Sequence, residues 1–150
     1  MARAFVIELV SVLCYNIHME KKYKKAKNTV AMVIYHFVFC PRYRRKIFLI
    51  DGVEVLFKEI LPQICEQHGI DLLQVECDTD HCHLLLNCPP ELSPADIMKI
   101  IKRNTGKVLL AEIPQLAAIP TLWTRNYFVS TEKDVGENSI MAYVDIQRKR

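Results

Sequence analysis

Asp80-His81-Cys82-His83-Leu84-Leu85-Leu86 sets two imidazoles two positions apart at the head of an apolar run. Side chains alternate between faces along a strand, so His81 and His83 point one way and Cys82, Leu84 and Leu86 the other. The stretch therefore reads as a strand with one face toward a core and two imidazoles directed at one spot. Neutral imidazole is a common ligand for divalent cations, and a rigid strand pre-places two of them as a loop does not. The same spacing also suits two polar residues on a half-exposed strand face. Cys77, His81, His83 and Cys88 lack the paired-ligand spacing of a structural zinc site.

Upstream, Ile70 to Asp78 reads as a second strand joined to the histidine strand by the tight Thr79-Asp80 connection, and Pro89-Pro90 stops the latter. Asp51 and Glu54 have the spacing of a helix cap with its reciprocal acid. Leu56, Ile60 and Ile64 follow at helical spacing until Gly69, with Pro62 expected to kink the helix. Thr29 to Cys40 is rich in β-branched and aromatic residues, as a central strand buried on both faces should be; His36 within it reads as a strand residue with a local hydrogen bond.

Downstream, Ser93-Pro94-Ala95-Asp96 opens a second helix, with Ile97, Ile100, Ile101 and Val108 as its expected buried face and Lys99, Lys102, Arg103 and Lys107 outside. Leu122 to Ser130 reads as a fourth strand and Ser139 to the C-terminus as a short helix. The order β-α-β-β-α-β-α gives an α+β class: a ferredoxin-like, split βαβ antiparallel sheet with helices on one face plus a C-terminal helix.

A chain of 150 residues, half apolar and a quarter charged, is one ordinary globular domain by size and composition. The six cysteines include no C-x-x-C pair and read as reduced, which points to the cytoplasm. The net charge of +3 conceals an asymmetry. Residues 1–50 carry ten Lys or Arg against two Asp or Glu, residues 51–100 two against ten, and residues 101–150 eight against five. Such a split suits a polyanion held by one surface, although a basic run is also what a solvated face looks like. The apolar run Ala4 to Tyr15 is too short to span a bilayer and lacks a cleavage site, so no membrane partner is expected. Residues 1–27 read as an N-terminal extension, residues 1–18 with Met19 as the expected start, and a basic arm, Lys21 to Lys27, that is mobile until it meets phosphate. Residues 28–150 form the functional domain. Arg42-Tyr43-Arg44-Arg45-Lys46 sets four cations around an aromatic ring, which fits either a nucleic-acid backbone with a base stacked nearby or a solvated turn.

The last helix carries Tyr143 and Gln147 four residues apart and so on one face. A phenol is a competent nucleophile toward phosphorus when a cation polarises the phosphate, and a glutamine amide oxygen could complete a ligand set with His81 and His83. That mixture suits Mg²⁺ or Mn²⁺. A Tyr/Gln pair can equally be surface decoration.

Asp80 through Leu86, Pro89-Pro90, Leu122-Trp123 through Tyr127-Phe128-Val129, and Tyr143-Val144-Asp145-Ile146-Gln147 together resemble the HUH-type single-tyrosine, TnpA-like transposases of small bacterial and archaeal insertion sequences, which include the REP-associated tyrosine transposases. The likeness runs from about Tyr35 to Gln147. It implies a divalent ion, Mg²⁺ or Mn²⁺, bound by His81, His83 and Gln147, and attack on DNA by Tyr143 from a C-terminal catalytic helix. It further implies recognition of hairpins in single-stranded DNA at the element's ends, and a homodimer in which the tyrosine helix of one subunit completes the site of the other. Cleavage and rejoining would pass through a 5′-phosphotyrosine, with Arg42, Arg44, Arg45, Lys102 and Arg103 as the expected DNA contacts. Three departures stand out: the extension 1–27, Cys82 in place of an aliphatic residue, and Pro62. They are compatible with a decayed copy that no longer cuts. A module of the same fold that binds single-stranded nucleic acid without cutting it is the main rival, and a water-using nuclease is a third possibility; a covalent protein–DNA adduct separates the three.

Overall fold

A computed structural model describes residues 23–131. Its centre is β3 (Val33–Phe39), whose β-branched and aromatic residues suit a strand with neighbours on both sides. Numbered along the chain, the other strands are β1 (Lys24–Ala26), β2 (Thr29–Ala31), β4 (Asp71–Cys77), β5 (Cys82–Cys88) and β6 (Phe128–Ser130). The helices are α1 (Val53–Gln67) and α2 (Pro94–Glu112). Strands β4, β5, β3 and β6 form one antiparallel sheet in that spatial order. Helix α1 carries the chain from β3 to β4 and leaves a gap that β5 fills, and α2 returns β6 to the free side of β3. This is the split βαβ, ferredoxin-like arrangement expected from the order of elements.

Register fixes which side chains meet the helices. Phe39 pairs with Cys82, Phe37 with Leu84 and Tyr35 with Leu86. Phe37, Phe39, Cys82, Leu84 and Leu86 are fully buried, in one cluster with Phe57 and Leu61 of α1 and with Ile97, Ile101 and Leu109 of α2.

Several elements differ from their sequence reading. Thr29 to Cys40 is not one strand. The chain breaks at Met32, and β2 folds back on β1, so Lys24 to Lys27 of the expected mobile basic arm are in a hairpin. Its turn is Lys27-Asn28, and Lys24 Nζ lies 3.0 Å from Asp71 Oδ2, an opposite charge on the large sheet.

Asp51 does not cap α1. The N-cap is Gly52 at φ +85°, because the chain enters from a 3₁₀ turn at Ile47–Leu49 and must reverse through a left-handed residue. Glu54 pairs instead with Lys58 at 2.8 Å. The stripe Val53, Phe57, Leu61, Ile64 faces the core, leaving Leu56 and Ile60 half-buried at its flank. Pro62 falls on the exposed side, and α1 continues through it to Gln67. Gly69, at φ +67°, closes the helix as expected: its N–H donates to the Glu66 carbonyl and that of Ile70 to Cys65.

Helix α2 opens on the expected capping box, Ser93 with Asp96 and Pro94 at the first turn. Its buried face is Ile97, Met98, Ile101, Thr105, Gly106 and Leu109; Ile100 and Val108 are only half-buried.

The fourth strand is far shorter than Leu122 to Ser130. Lys102, expected on the outer side of α2, points inward, and its ammonium donates to the carbonyls of Thr124 and Asn126, each at 2.8 Å. Carbonyls held by an ammonium are not free for a strand ladder, so only Phe128–Ser130 joins β3.

Trp123 is anchored on the other side of this segment. Its Nε1–H donates to Thr105 Oγ1 at 3.0 Å, and that hydroxyl donates to the Ile101 carbonyl at 2.6 Å. Thr105→Val keeps the shape and removes the acceptor of a buried N–H, so it should cost about 1–3 kcal/mol. Urea unfolding followed by the single tryptophan measures this; an unchanged midpoint and slope would mean that the bond contributes nothing.

Candidate active site

Alternation along β5 puts Cys82, Leu84 and Leu86 against the helices, and His83 therefore lies on the opposite face of the sheet. His81 sits just before the strand and is 9 % exposed. The two rings meet edge to face with centroids 5.1 Å apart, so the imidazole pair expected from sequence is present.

His81 is braced by a chain of charge. Arg44 Nη2 donates to Asp80 Oδ2 at 2.6 Å, and Asp80 Oδ1 lies 3.0 Å from His81 Nδ1. A carboxylate paired with a guanidinium accepts hydrogen bonds and cannot donate them, so Nδ1 of His81 donates to Asp80 and the ring orientation is fixed, with Nε2 turned away from that carboxylate. Asp78 Oδ2 stands 3.8 Å from that Nε2. Asp80 is 14 % exposed and Arg44 10 %, which strengthens the pairing relative to a surface bridge. Arg44 Nε and Nη1 are buried with no hydrogen-bond partner among the described residues.

His83 has a different neighbour. Its Nδ1 lies 3.3 Å from His36 Nε2, and the rings stack with centroids 5.5 Å apart. His36 comes from β3, where it shares the face of Val38, the residue opposite His83. The expectation of a purely local bond for His36 is replaced by this cross-strand contact. Burial, with His81 and His36 alongside, pulls the pKa of His83 down to about 4. Burial lowers that of His36 too, against the pull of Glu76. His83 is thus neutral at physiological pH, the form in which imidazole ligates a metal.

The donor chemistry fits a divalent ion: one imidazole with its tautomer set by a carboxylate, beside another held neutral. No three His, Cys, Asp or Glu side chains among the described residues are grouped to hold a metal. Cys88 lies at the far end of β5 from His83, opposite Val33, and the thiols of Cys77, Cys82 and Cys88 are pushed up by burial. Gln147 and the expected nucleophile Tyr143 lie outside the described residues.

The five expected DNA cations fall into two groups. Arg42 and Arg103 are exposed and Arg45 is half-buried, with the Arg42 and Arg45 guanidiniums 5.4 and 5.1 Å from the Tyr43 ring centroid. Arg44 is turned inward onto Asp80, and Lys102 is the inward clamp on residues 124 and 126. Burial brings the Lys102 ammonium down to about 8. Neither inward role had a signal in spacing alone, since an arginine among arginines and a lysine on a helix flank look like surface.

The pKa of His83 has a measurable consequence. The unfolded chain takes up this proton near pH 6.5 and the folded chain only near 4, so acidification across that window favours unfolding. Imidazole ¹⁵N shifts of the metal-free protein should show His83 neutral at pH 5.5, and His83→Gln should lose less stability between pH 6.5 and 4 than the parent does. A ring titrating near 6.5 would contradict this.

A family model described as transposase, IS200-like, matches residues 29–147. The ISDra2 transposase TnpA of Deinococcus radiodurans is 28 % identical over 130 residues, covering 85 % of this chain and 92 % of that one. The transposase for insertion sequence element IS200 of Salmonella typhimurium is 33 % identical over 108 residues, 70 % and 68 % of the two chains. Among solved structures, a candidate transposase from D. radiodurans R1 superposes with a TM-score of 0.74 at 29 % identity, over 83 % of this chain and 97 % of that one. A REP-associated tyrosine transposase bound to a REP hairpin shares the fold, with a TM-score of 0.52 at 10 % identity, over 81 % and 68 %. With a family match that spans the whole four-stranded sheet and continues beyond it, the chain belongs to the IS200-like transposases.

Proposed function

We propose that this transposase cuts and rejoins single-stranded DNA at hairpin-marked ends of its element, through a covalent 5′-phosphotyrosine on Tyr143. The observation that carries the reading is the His81–His83 pair, with His81 braced by Asp80 and Arg44 and His83 kept neutral. His81, His83 and Gln147 would hold a divalent ion, Mg²⁺ or Mn²⁺, which when bound neutralises charge on the phosphate oxygens.

The chain's own residues do the rest. The Tyr143 oxygen gives up its proton and bonds to phosphorus; the bond from phosphorus to the 3′ oxygen breaks, and that oxygen leaves as a 3′-hydroxyl. A second 3′-hydroxyl reverses the step and restores the phenol, so strands are joined without a nucleotide cofactor. Asp80 and Arg44 keep the His81 ring oriented throughout.

The rival without chemistry, a sheet that binds bases on exposed aromatics, finds no support among the described residues. The exposed large apolar side chains are Tyr23, Val30, Met32, Tyr43, Leu49 and Val55, none of which is in the four-stranded sheet. No described helix is long and apolar enough to cross a membrane.

Two experiments test the proposal. Tyr143→Phe should abolish the covalent adduct on a hairpin substrate, whereas Tyr127→Phe should keep it: the Tyr127 ring packs on Phe37 with centroids 6.0 Å apart and lies 5.4 Å from Lys102 Nζ, a structural position. The reverse pattern on a denaturing gel would reassign the nucleophile.

The proposal includes a dimer in which the tyrosine acts in trans. His81→Ala and Tyr143→Phe proteins should each be inactive, and their mixture should regain cleavage after subunit exchange, since each mixed dimer holds one intact composite site. Exchange shown by mass without recovered cleavage would place the site within one chain.

A further inference from the structure

We propose that the open cavity between Arg42-Tyr43 and residues 121–126 is a binding pocket for one nucleotide of a single-stranded DNA, an inference that rests on the function proposed above. The cavity has a volume of about 340 Å³, and its walls include Arg42, Tyr43, Trp123, Thr124, Arg125 and Asn126. That is at the lower end of the range for small-ligand sites and suits a single base with its phosphate.

The walls come from two segments about eighty residues apart, stitched by backbone. The Arg42 N–H donates to the Leu122 carbonyl at 2.7 Å, the Thr124 N–H donates to Cys40 at 3.1 Å, and Pro41 bridges to Trp123. Lys102 holds the carbonyls of Thr124 and Asn126 from behind. A pocket whose backbone is fixed on both sides needs little ordering when a ligand enters.

The lining chemistry selects the ligand. Arg42 and Arg125 are exposed, and neither has a carboxylate within ion-pair distance among the described residues. Two such cations suit phosphate. Tyr43, a residue 64 % exposed and flanked by the Arg42 and Arg45 guanidiniums, offers an aromatic platform for a base, and Asn126 and Thr124 offer polar groups to a base edge. Tyr43 and Arg44 are the two non-glycine residues with positive φ among those described, at +61° and +46°. This strained pair sends consecutive side chains to different tasks: Tyr43 walls the cavity, and Arg44 is buried against Asp80, the brace of His81. A nucleotide held on Tyr43 is therefore tied, through one backbone step and two hydrogen bonds, to the imidazole pair, which sets the register of the strand at the site of cutting.

Trp123 lines the cavity but is only 5 % exposed, so a labelled ligand reports occupancy more directly than the chain's own fluorescence. Fluorescein-labelled tetrathymidylate, titrated with full-length protein in EDTA, should show a saturable rise in anisotropy. Tyr43→Ala should weaken that binding by roughly five- to a hundredfold, Tyr43→Phe should restore it, and Arg125→Ala should weaken it and flatten its salt dependence. No saturable binding, or a Tyr43→Ala protein that binds as tightly as its parent, would overturn the pocket. If the parent still forms the Tyr143 adduct on a hairpin in Mg²⁺ in that event, the proposed function stands without the pocket. Neither adduct nor oligonucleotide binding would overturn both.

Discussion

The pairing of β5 with β3 in one register is the constraint on which everything else rests. With Phe39 opposite Cys82 and Phe37 opposite Leu84, one face of two strands meets the helices and His83 is left on the other face beside His36. A slip of one residue would reverse this, sending His83 into the space filled by Phe57 and Leu61 and turning Leu84 away from the core. The apolar residues at 82, 84, 86 and 88 thus do two things at once. They hold the fold, and they decide where the imidazole points.

How far the site could be read in advance depends on how local each signal is. The imidazole pair was legible because spacing over three residues decides it, with His83 in β5 and His81 just before that strand, and the capping box of α2 and the glycine stop of α1 were legible because they too are local. The brace of His81 was not, although Asp80 is its immediate neighbour, because the partner that orients Asp80 comes from a loop thirty-six residues earlier. The partner of His36 is hidden in the same way: it reads as a strand residue with a local hydrogen bond, and only cross-strand register reveals that it meets His83. The family likeness supplied Tyr143 and Gln147, which lie outside the described residues, and no contact bears on them.

The errors in the fold share a cause. Thr29 to Cys40 and Leu122 to Ser130 have the composition of strands throughout, yet each is strand only in part, because propensity describes what a backbone tolerates and not what its carbonyls find as partners. Met32 separates a hairpin from the sheet. At Thr124 and Asn126 one ammonium satisfies two carbonyls that a neighbouring strand would otherwise take. Lys102 thereby ends a strand, holds a cavity wall and lies 5.7 Å from the centroid of Phe39, roles that helical spacing alone does not separate.

The central strand of this sheet is also early in the sequence. Val38 pairs with His83, forty-five positions later, and with Phe128, ninety positions later. Loop closure on that scale must be met before either contact gives anything back. During synthesis β3 leaves the ribosome with no partner, and it cannot have both neighbours until translation has passed residue 130. Until then its apolar face is in the care of whatever else the cell offers, a burden set by topology and independent of the strength of the finished core.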